Sequence, residues 1–273
     1  MANDLVIYHQ HTWIEELIRK YLFGKGLESL PQDPRELSDL PVWLKEQGYA
    51  STTIAVILAP IREAYAQAGI ATRRIIRPPA RPRGFLKDAV SAEGVQSILD
   101  CMECETGRNR AIVGLFLYLG LRDVEASRLD AGDFYEDNGK QWLRVWRKYR
   151  SCKDEKFLVT NSLLDTMLAY QEATLKDRLP DAPMFIGKKG KRLRPDCISR
   201  LVSGIMKKAG VKTSSRITPH SLRHTAITKV LLETKNVRMA QKFAGHTDVR
   251  TTERYLHDIL SDEERPESYV NYK

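Results

Sequence analysis

Residues 73–87, RRIIRPPARPRGFLK, put the tightest limit on what this chain can fold into. Pro78, Pro79 and Pro82 fix the backbone and remove N–H donors, so neither a helix nor a central strand can cross the stretch. Whatever forms on either side must bury its own apolar surface. The stretch also carries six basic side chains, Arg73, Arg74, Arg77, Arg81, Arg83 and Lys87, and no acidic one. Cations without a counter-charge suit a segment that runs along phosphates rather than through plain solvent. At 273 residues, two compact bodies are expected: residues 1–72, a basic Pro-rich linker over 73–87, then residues 88–273.

Hydrophobic residues make up 42% of the chain, enough for two cores and too many for wholesale disorder. Lys and Arg number 44 against 35 Asp and Glu, and the formal charge of +9 suits a polyanionic partner. No run of about 18 apolar residues occurs, and the N-terminus MANDLVIYHQHTWIEEL is not built as a signal peptide. The expected setting is the cytoplasm. Four cysteines, Cys101, Cys104, Cys152 and Cys197, are too sparse for a disulfide scaffold. Cys101 and Cys104 form a C-x-x-C pair, but zinc needs two further ligands and the other cysteines do not repeat the pair. Reduced thiols and no bound metal are expected.

The first body reads as all helical. Trp13, Ile14, Leu17, Ile18, Tyr21 and Leu22 share one helical face. ELSDLPVWLKEQG predicts a short helix bent or restarted at Pro41 and stopped near Gly48. Ser51 is the expected N-cap of STTIAVILAPIREAYAQAGI, where Pro60 should bring a kink or a break. In the second body Ser91 is the expected cap of SAEGVQSIL. RAIVGLFLYLGLR is apolar nearly all round, the mark of a buried central helix. WLRVW and KFLV bracket a polar stretch as a small hairpin would. LLDTMLAYQEATL, CISRLVSGIMKKAG, LRHTAITKVLLET and VRMAQKFAG read as helices. The expected fold is mainly α: a small helical N-terminal domain and a helix-rich domain with a small β-hairpin or sheet.

Basic and histidine side chains gather at four places, each joined to an apolar helix. GLRDVEASRL sets Arg122 at a corner after the buried helix. TPHSLRH sets His220 and Arg223 three apart, on one side of an incipient helix. Gly245-His246 follows a short helix, and TTERYLH holds Tyr255. Each alone is more often a surface cation, a satisfied histidine or a packed tyrosine. Together they offer chemistry. Two arginines can grip one phosphate, neighbouring histidines can donate to its other oxygens, and a tyrosine hydroxyl is an oxygen nucleophile.

GLRDVEASRL, HSLRHT and AGHTDVRTTERY, in that order, resemble the signature of the tyrosine recombinase (phage integrase, Xer-like) family. That signature runs Arg, a hairpin Lys, His-x-x-Arg, His and Tyr, and the matching positions are Arg122, Lys148, His220, Arg223, His246 and Tyr255. The steps of 23 residues from Arg223 to His246 and nine from His246 to Tyr255 suit the family. Lys148 ends LRVWRK, where the family's lysine usually lies. The hairpin tip KYRSCKDEK is lengthened and lacks the usual glycines, which leaves Lys153 and Lys156 open as alternatives. The resemblance covers the whole second body. The first matches only in general character, as the family's DNA-gripping core-binding domain.

The resemblance implies a site-specific recombinase of double-stranded DNA. Tyr255 would attack a scissile phosphate to form a 3′-phosphotyrosyl link. Arg122 and Arg223 would hold the non-bridging oxygens, and the lysine would protonate the leaving 5′ oxygen. His220 would exchange protons with the tyrosine or a phosphate oxygen, and His246 would donate to the phosphate. The bond energy stays in the tyrosyl link, so no ATP, metal or other cofactor is implied. A homo-tetramer on DNA is also implied, coupled by exchange of the C-terminal tail LHDILSDEERPESYVNYK. The competing readings are a type IB topoisomerase and a catalytically silent DNA-binding accessory protein; the presence of every motif residue argues against silence.

Overall fold

The computed structural model describes residues 12–80, 89–148, 150–187, 189–214, 217–246 and Thr252. Tyr255, the tail beyond it, and Arg81, Arg83 and Lys87 of the basic stretch lie outside the described residues. The chain divides into two compact units, Met1–Gly84 and Phe85–Lys273.

In the first unit, α1 (Thr12–Gly24), α2 (Leu40–Glu46) and α3 (Ser51–Gln67) enclose a core of Ile14, Ile18, Leu40, Leu44, Ile54 and Ile57. Each such side chain contributes about 1.5–3 kcal/mol on leaving water. Pro41 sits in the first turn of α2, where a missing N–H costs nothing. The N-cap of α3 is Ala50, without a side-chain cap, so Ser51 lies one residue inside the helix rather than capping it. The helix then runs unbroken through Pro60. Pro60 is buried with Ile57 and Ile61, and that packing offsets the hydrogen bond denied to the Val56 carbonyl. Ile76 is fully buried in the same core, with Ile75 packed against it, whereas Arg73, Arg74 and Arg77 are exposed.

The second unit is built around α5 (Gly107–Leu119), buried on nearly every side from Ala111 to Phe116. Thr106 caps it by accepting a hydrogen bond from the Asn109 N–H at 3.3 Å. Around it pack α4 (Ala92–Glu103), α7 (Asn161–Tyr170), α8 (Pro195–Lys208) and α9 (Pro219–Thr234). Ser91 caps α4 as its sequence predicts, accepting from the Gly94 N–H at 3.2 Å. A short α6 (Asp123–Ser127) follows α5, and α10 (Val237–Ala244) follows α9. The sheet is antiparallel with β2 (Lys140–Val145) between β1 (Phe134–Asp137) and β3 (Glu155–Leu158). Asn138 and Gly139, both at positive φ, make the tight β1–β2 turn. Leu143 pairs with Phe157 across β2 and β3. Among the described residues, no helix is long and apolar enough to cross a membrane.

Candidate active site

Two helix ends shape the site. Gly120 closes α5 in the left-handed conformation, and the Leu121 N–H then bonds the Leu115 carbonyl at 3.2 Å. The positive φ calls for glycine there, and a Cβ on Gly120 would also crowd the Phe243 ring at 3.1 Å. Gly245 closes α10 in the same way. Arg223, in the second turn of α9 and 1% exposed, ties the two ends together. Its Nη1 donates to the Gly120 carbonyl, and its Nη2 donates to the Ala244 carbonyl at 2.5 Å.

The corner after Gly120 makes Arg122 the N-cap of α6. Three residues on, Glu125 accepts from the Arg122 backbone N–H at 2.9 Å and from its guanidinium at 2.7 Å. Glu125 has no exposed surface and also faces Arg147 at 3.3 Å and Arg223 at 3.9 Å. The Lys148 backbone N–H donates to the same carboxylate at 3.2 Å. Burial would raise the Glu125 pKa, but Arg147, Arg122 and Arg223 pull it down to about 2. One anion thus gathers the α5–α6 corner, the end of β2 and the start of α9.

His220 and His246 lie beside these cations. Loss of surrounding water, then the charges of Arg223 and Arg122, push each imidazole down to about 4. His220 keeps an exposed surface, and the guanidiniums of Arg223 and Arg122 beside it disfavour its protonated form. His246 follows Gly245, and its Nδ1 lies 3.0 Å from the Thr252 hydroxyl. A cavity of about 280 Å3 opens here, lined by five cations, among them Lys148, Arg238 and Lys242, against one acid, Glu155.

The three hairpin lysines separate by environment. Lys148, exposed, has its backbone on Glu125. The Lys153 ammonium is bound by the Asp130 carboxylate and by Asp133 at 2.6 Å, in a cluster that Arg192 joins at 2.5 Å from Asp130. The Lys156 ammonium stands 5.9 Å from the centre of the Tyr135 ring. Arg122, His220, Arg223, His246 and the Lys148 backbone therefore meet in one place, while Tyr255 lies outside the described residues.

Two members of this cluster were not expected. Glu125 lies three residues after Arg122, the spacing at which a carboxylate reaches back to the N-cap N–H, so the signal was present. Arg147 continues the alternation of buried Leu143 and Val145 along β2, which points it inward.

Residues 89–261 match the phage integrase family. The chain is 29% identical over 214 residues to tyrosine recombinase XerA of Thermococcus kodakarensis, covering 78% of this chain and 73% of that one. It is also 29% identical over 234 residues to tyrosine recombinase XerC of Corynebacterium efficiens, covering 81% and 73%. The fold is similar to the post-cleavage complex of XerH site-specific recombinase with a palindromic difH substrate. That comparison gives a TM-score of 0.72 at 18% identity over 92% of this chain and 76% of that one. The match takes in the α5–α6 corner, the hairpin and the helix ends that converge on Glu125, and this chain belongs to the phage integrase family of tyrosine site-specific recombinases.

Proposed function

We propose that this recombinase cuts and rejoins duplex DNA through Tyr255, with Arg122 and Arg223 as the phosphate clamp. The observation that carries this reading is the charge around Glu125. Three guanidiniums, those of Arg122, Arg147 and Arg223, face one carboxylate, an excess of two positive charges. A phosphodiester brings one negative charge, and the phosphorane formed as a tyrosine oxygen adds carries two. The cluster is matched to the transition state more closely than to the substrate, which is the condition for lowering the barrier. The arginines thus take over the neutralising work that a metal ion does elsewhere.

Arg122, with its side chain 20% exposed, is the more open clamp; Arg223 forms the floor. In this reading His220 and His246 rest neutral, and a bound phosphate offsets the arginine charges and makes both more basic. His220 then accepts the Tyr255 proton and His246 donates to a phosphate oxygen. Lys148 protonates the leaving 5′ oxygen, since Lys153 is already held by two carboxylates. The first unit serves as the core-binding domain, and Arg73, Arg74, Arg77, Arg81, Arg83 and Lys87 track the backbone beside it. Duplex DNA as partner is supported by the XerH likeness, since that protein was captured on its DNA substrate. The working assembly is a homo-tetramer on DNA in the cytoplasm, coupled by exchange of the tail after Tyr255.

Arg122→Ala and Arg223→Ala test the clamp. Each should slow single-turnover cleavage by about 10²-fold or more, because the lost bonds strengthen as charge develops. DNA affinity should change much less. A loss confined to affinity, with normal cleavage at saturating protein, contradicts the assignment.

A further inference from the structure

We propose that Arg147 is a positioning residue for leaving-group protonation, fixing the end of β2 so that Lys148 is presented to the scissile phosphate. The inference rests on the reading of Lys148 as proton donor.

Arg147 is 2% exposed, and its contacts reach three different parts of the unit. Nη1 donates to Glu125 at 3.3 Å, on the short helix that Arg122 caps. Nη2 donates to the Phe243 carbonyl at 2.6 Å, in the last turn of α10. The guanidinium carbon lies 4.6 Å from the centre of the Phe157 ring, on β3. Gly245 closes the fourth side: a Cβ there would meet Nε at 2.9 Å, so a side chain at 245 would force this arginine to shift. The one residue therefore braces the hairpin stem against both the α6 anion and the corner that carries His246.

A packing role alone does not account for a charge here. Nε is buried without a hydrogen-bond partner among the described residues, and burial lowers the guanidinium pKa. An apolar side chain of similar volume would avoid both costs. What an apolar residue cannot supply is direction. The planar fork aims one nitrogen at a carboxylate and another at a carbonyl, and so fixes the rotation of the strand end. Burial alternates through Leu143, Val145 and Arg147, and Lys148, in the turn just beyond, is exposed. Its backbone N–H meets the Glu125 carboxylate that Arg147 also holds.

In the step concerned, the Tyr255 oxygen bonds phosphorus as the bond from phosphorus to the 5′ oxygen breaks. The Lys148 ammonium gives a proton to that oxygen, leaving a 5′-hydroxyl and a neutral amine. A substrate with sulfur at the 5′ bridging position releases a thiolate and needs no such proton. It therefore separates an effect through Lys148 from an effect on folding or on the arginine clamp.

Single-turnover cleavage by Arg147→Met, Arg147→Lys and Lys148→Ala is compared on oxygen- and sulfur-bridged nicked duplexes, after thermal melts establish that each variant is folded. Arg147→Met should lose about tenfold or more on the oxygen substrate, a share of the roughly 10²–10⁴ that general acid catalysis supplies. It should recover to within about threefold of wild type on the sulfur substrate, as should Lys148→Ala. Arg147→Lys keeps a cation without the fork and should fall between, and it carries the test if the methionine variant does not fold. Equal losses for the Arg147 variants on both substrates, with Lys148→Ala rescued, overturn the role of Arg147 and leave Lys148 as donor. Failure of sulfur to rescue Lys148→Ala removes the donor assignment, and this proposal with it.

Discussion

A carboxylate with no exposed surface, faced by Arg122, Arg147 and Arg223, couples stability to chemistry at the scale of single residues. Glu125→Gln leaves buried guanidiniums without their anion and should cost about 3–5 kcal/mol in urea unfolding. A loss below about 1 kcal/mol, the range of an exposed pair, contradicts this account of the cluster. Protonation adds a pH dependence with a definite sign. Glu125 is held at about 2 against its ordinary 4.5, so its contribution is present above pH 4.5 and disappears as pH falls through about 2. His220 and His246 are held at about 4 against 6.5, and what their neutral forms contribute is lost as pH falls from 6.5 through about 4. NMR titration of the free protein should therefore find both imidazoles neutral at pH 6, and orthovanadate, standing in for the phosphorane, should raise both pKa values. Unshifted imidazoles in the vanadate-loaded protein contradict the proton roles. Sequence motif alone leads to Arg122, His220, Arg223 and His246 as candidates and gives Glu125 and Arg147 no role. Their burial arises only when three segments distant in sequence meet.

At the scale of elements, the site depends on where helices stop. Gly120 and Gly245 end α5 and α10 with positive φ, and Arg223 spans the carbonyls at both ends. Gly120→Ala should cost about 1–2 kcal/mol from the left-handed backbone alone. The 3.1 Å approach to Phe243 adds to that, and Arg122, two residues on, should be displaced. Calorimetry should find a lower Tm and single-turnover assays slower cleavage; an unchanged Tm contradicts this view of the corner. Helices with strong stripes were legible in the sequence, and so were the cap at Ser91 and the buried α5. β1 was not, because FYED is four residues long and half polar, although the Asn138-Gly139 turn that follows it is a recognised hairpin signal. Of the kink or break expected at Pro60, the break does not occur. Local propensity predicts a break, and burial in the core of the first unit overrides it.

At the scale of the whole molecule, the proposed function divides the work of one DNA-acting enzyme between two units and a basic segment. Replacing Arg73, Arg74 and Arg77, all exposed, with Gln should weaken binding to every duplex. The salt dependence should flatten by up to about 0.9 per lost phosphate contact, with cleavage at saturation unchanged. An unaltered salt slope contradicts a phosphate-tracking segment. The chain divides after Gly84, inside the stretch where proline and uncompensated charge are local signals. The convergence of Arg122, Arg223, His220 and His246 is a property of tertiary packing, and periodicity alone does not contain it. The account turns on Tyr255, and the covalent adduct on a nicked suicide duplex tests it most directly. The wild-type protein should trap DNA on a peptide that contains Tyr255, and Tyr255→Phe should bind the duplex as tightly and trap none. An adduct of undiminished yield from Tyr255→Phe, or DNA carried on Tyr269 or Tyr272, contradicts the account.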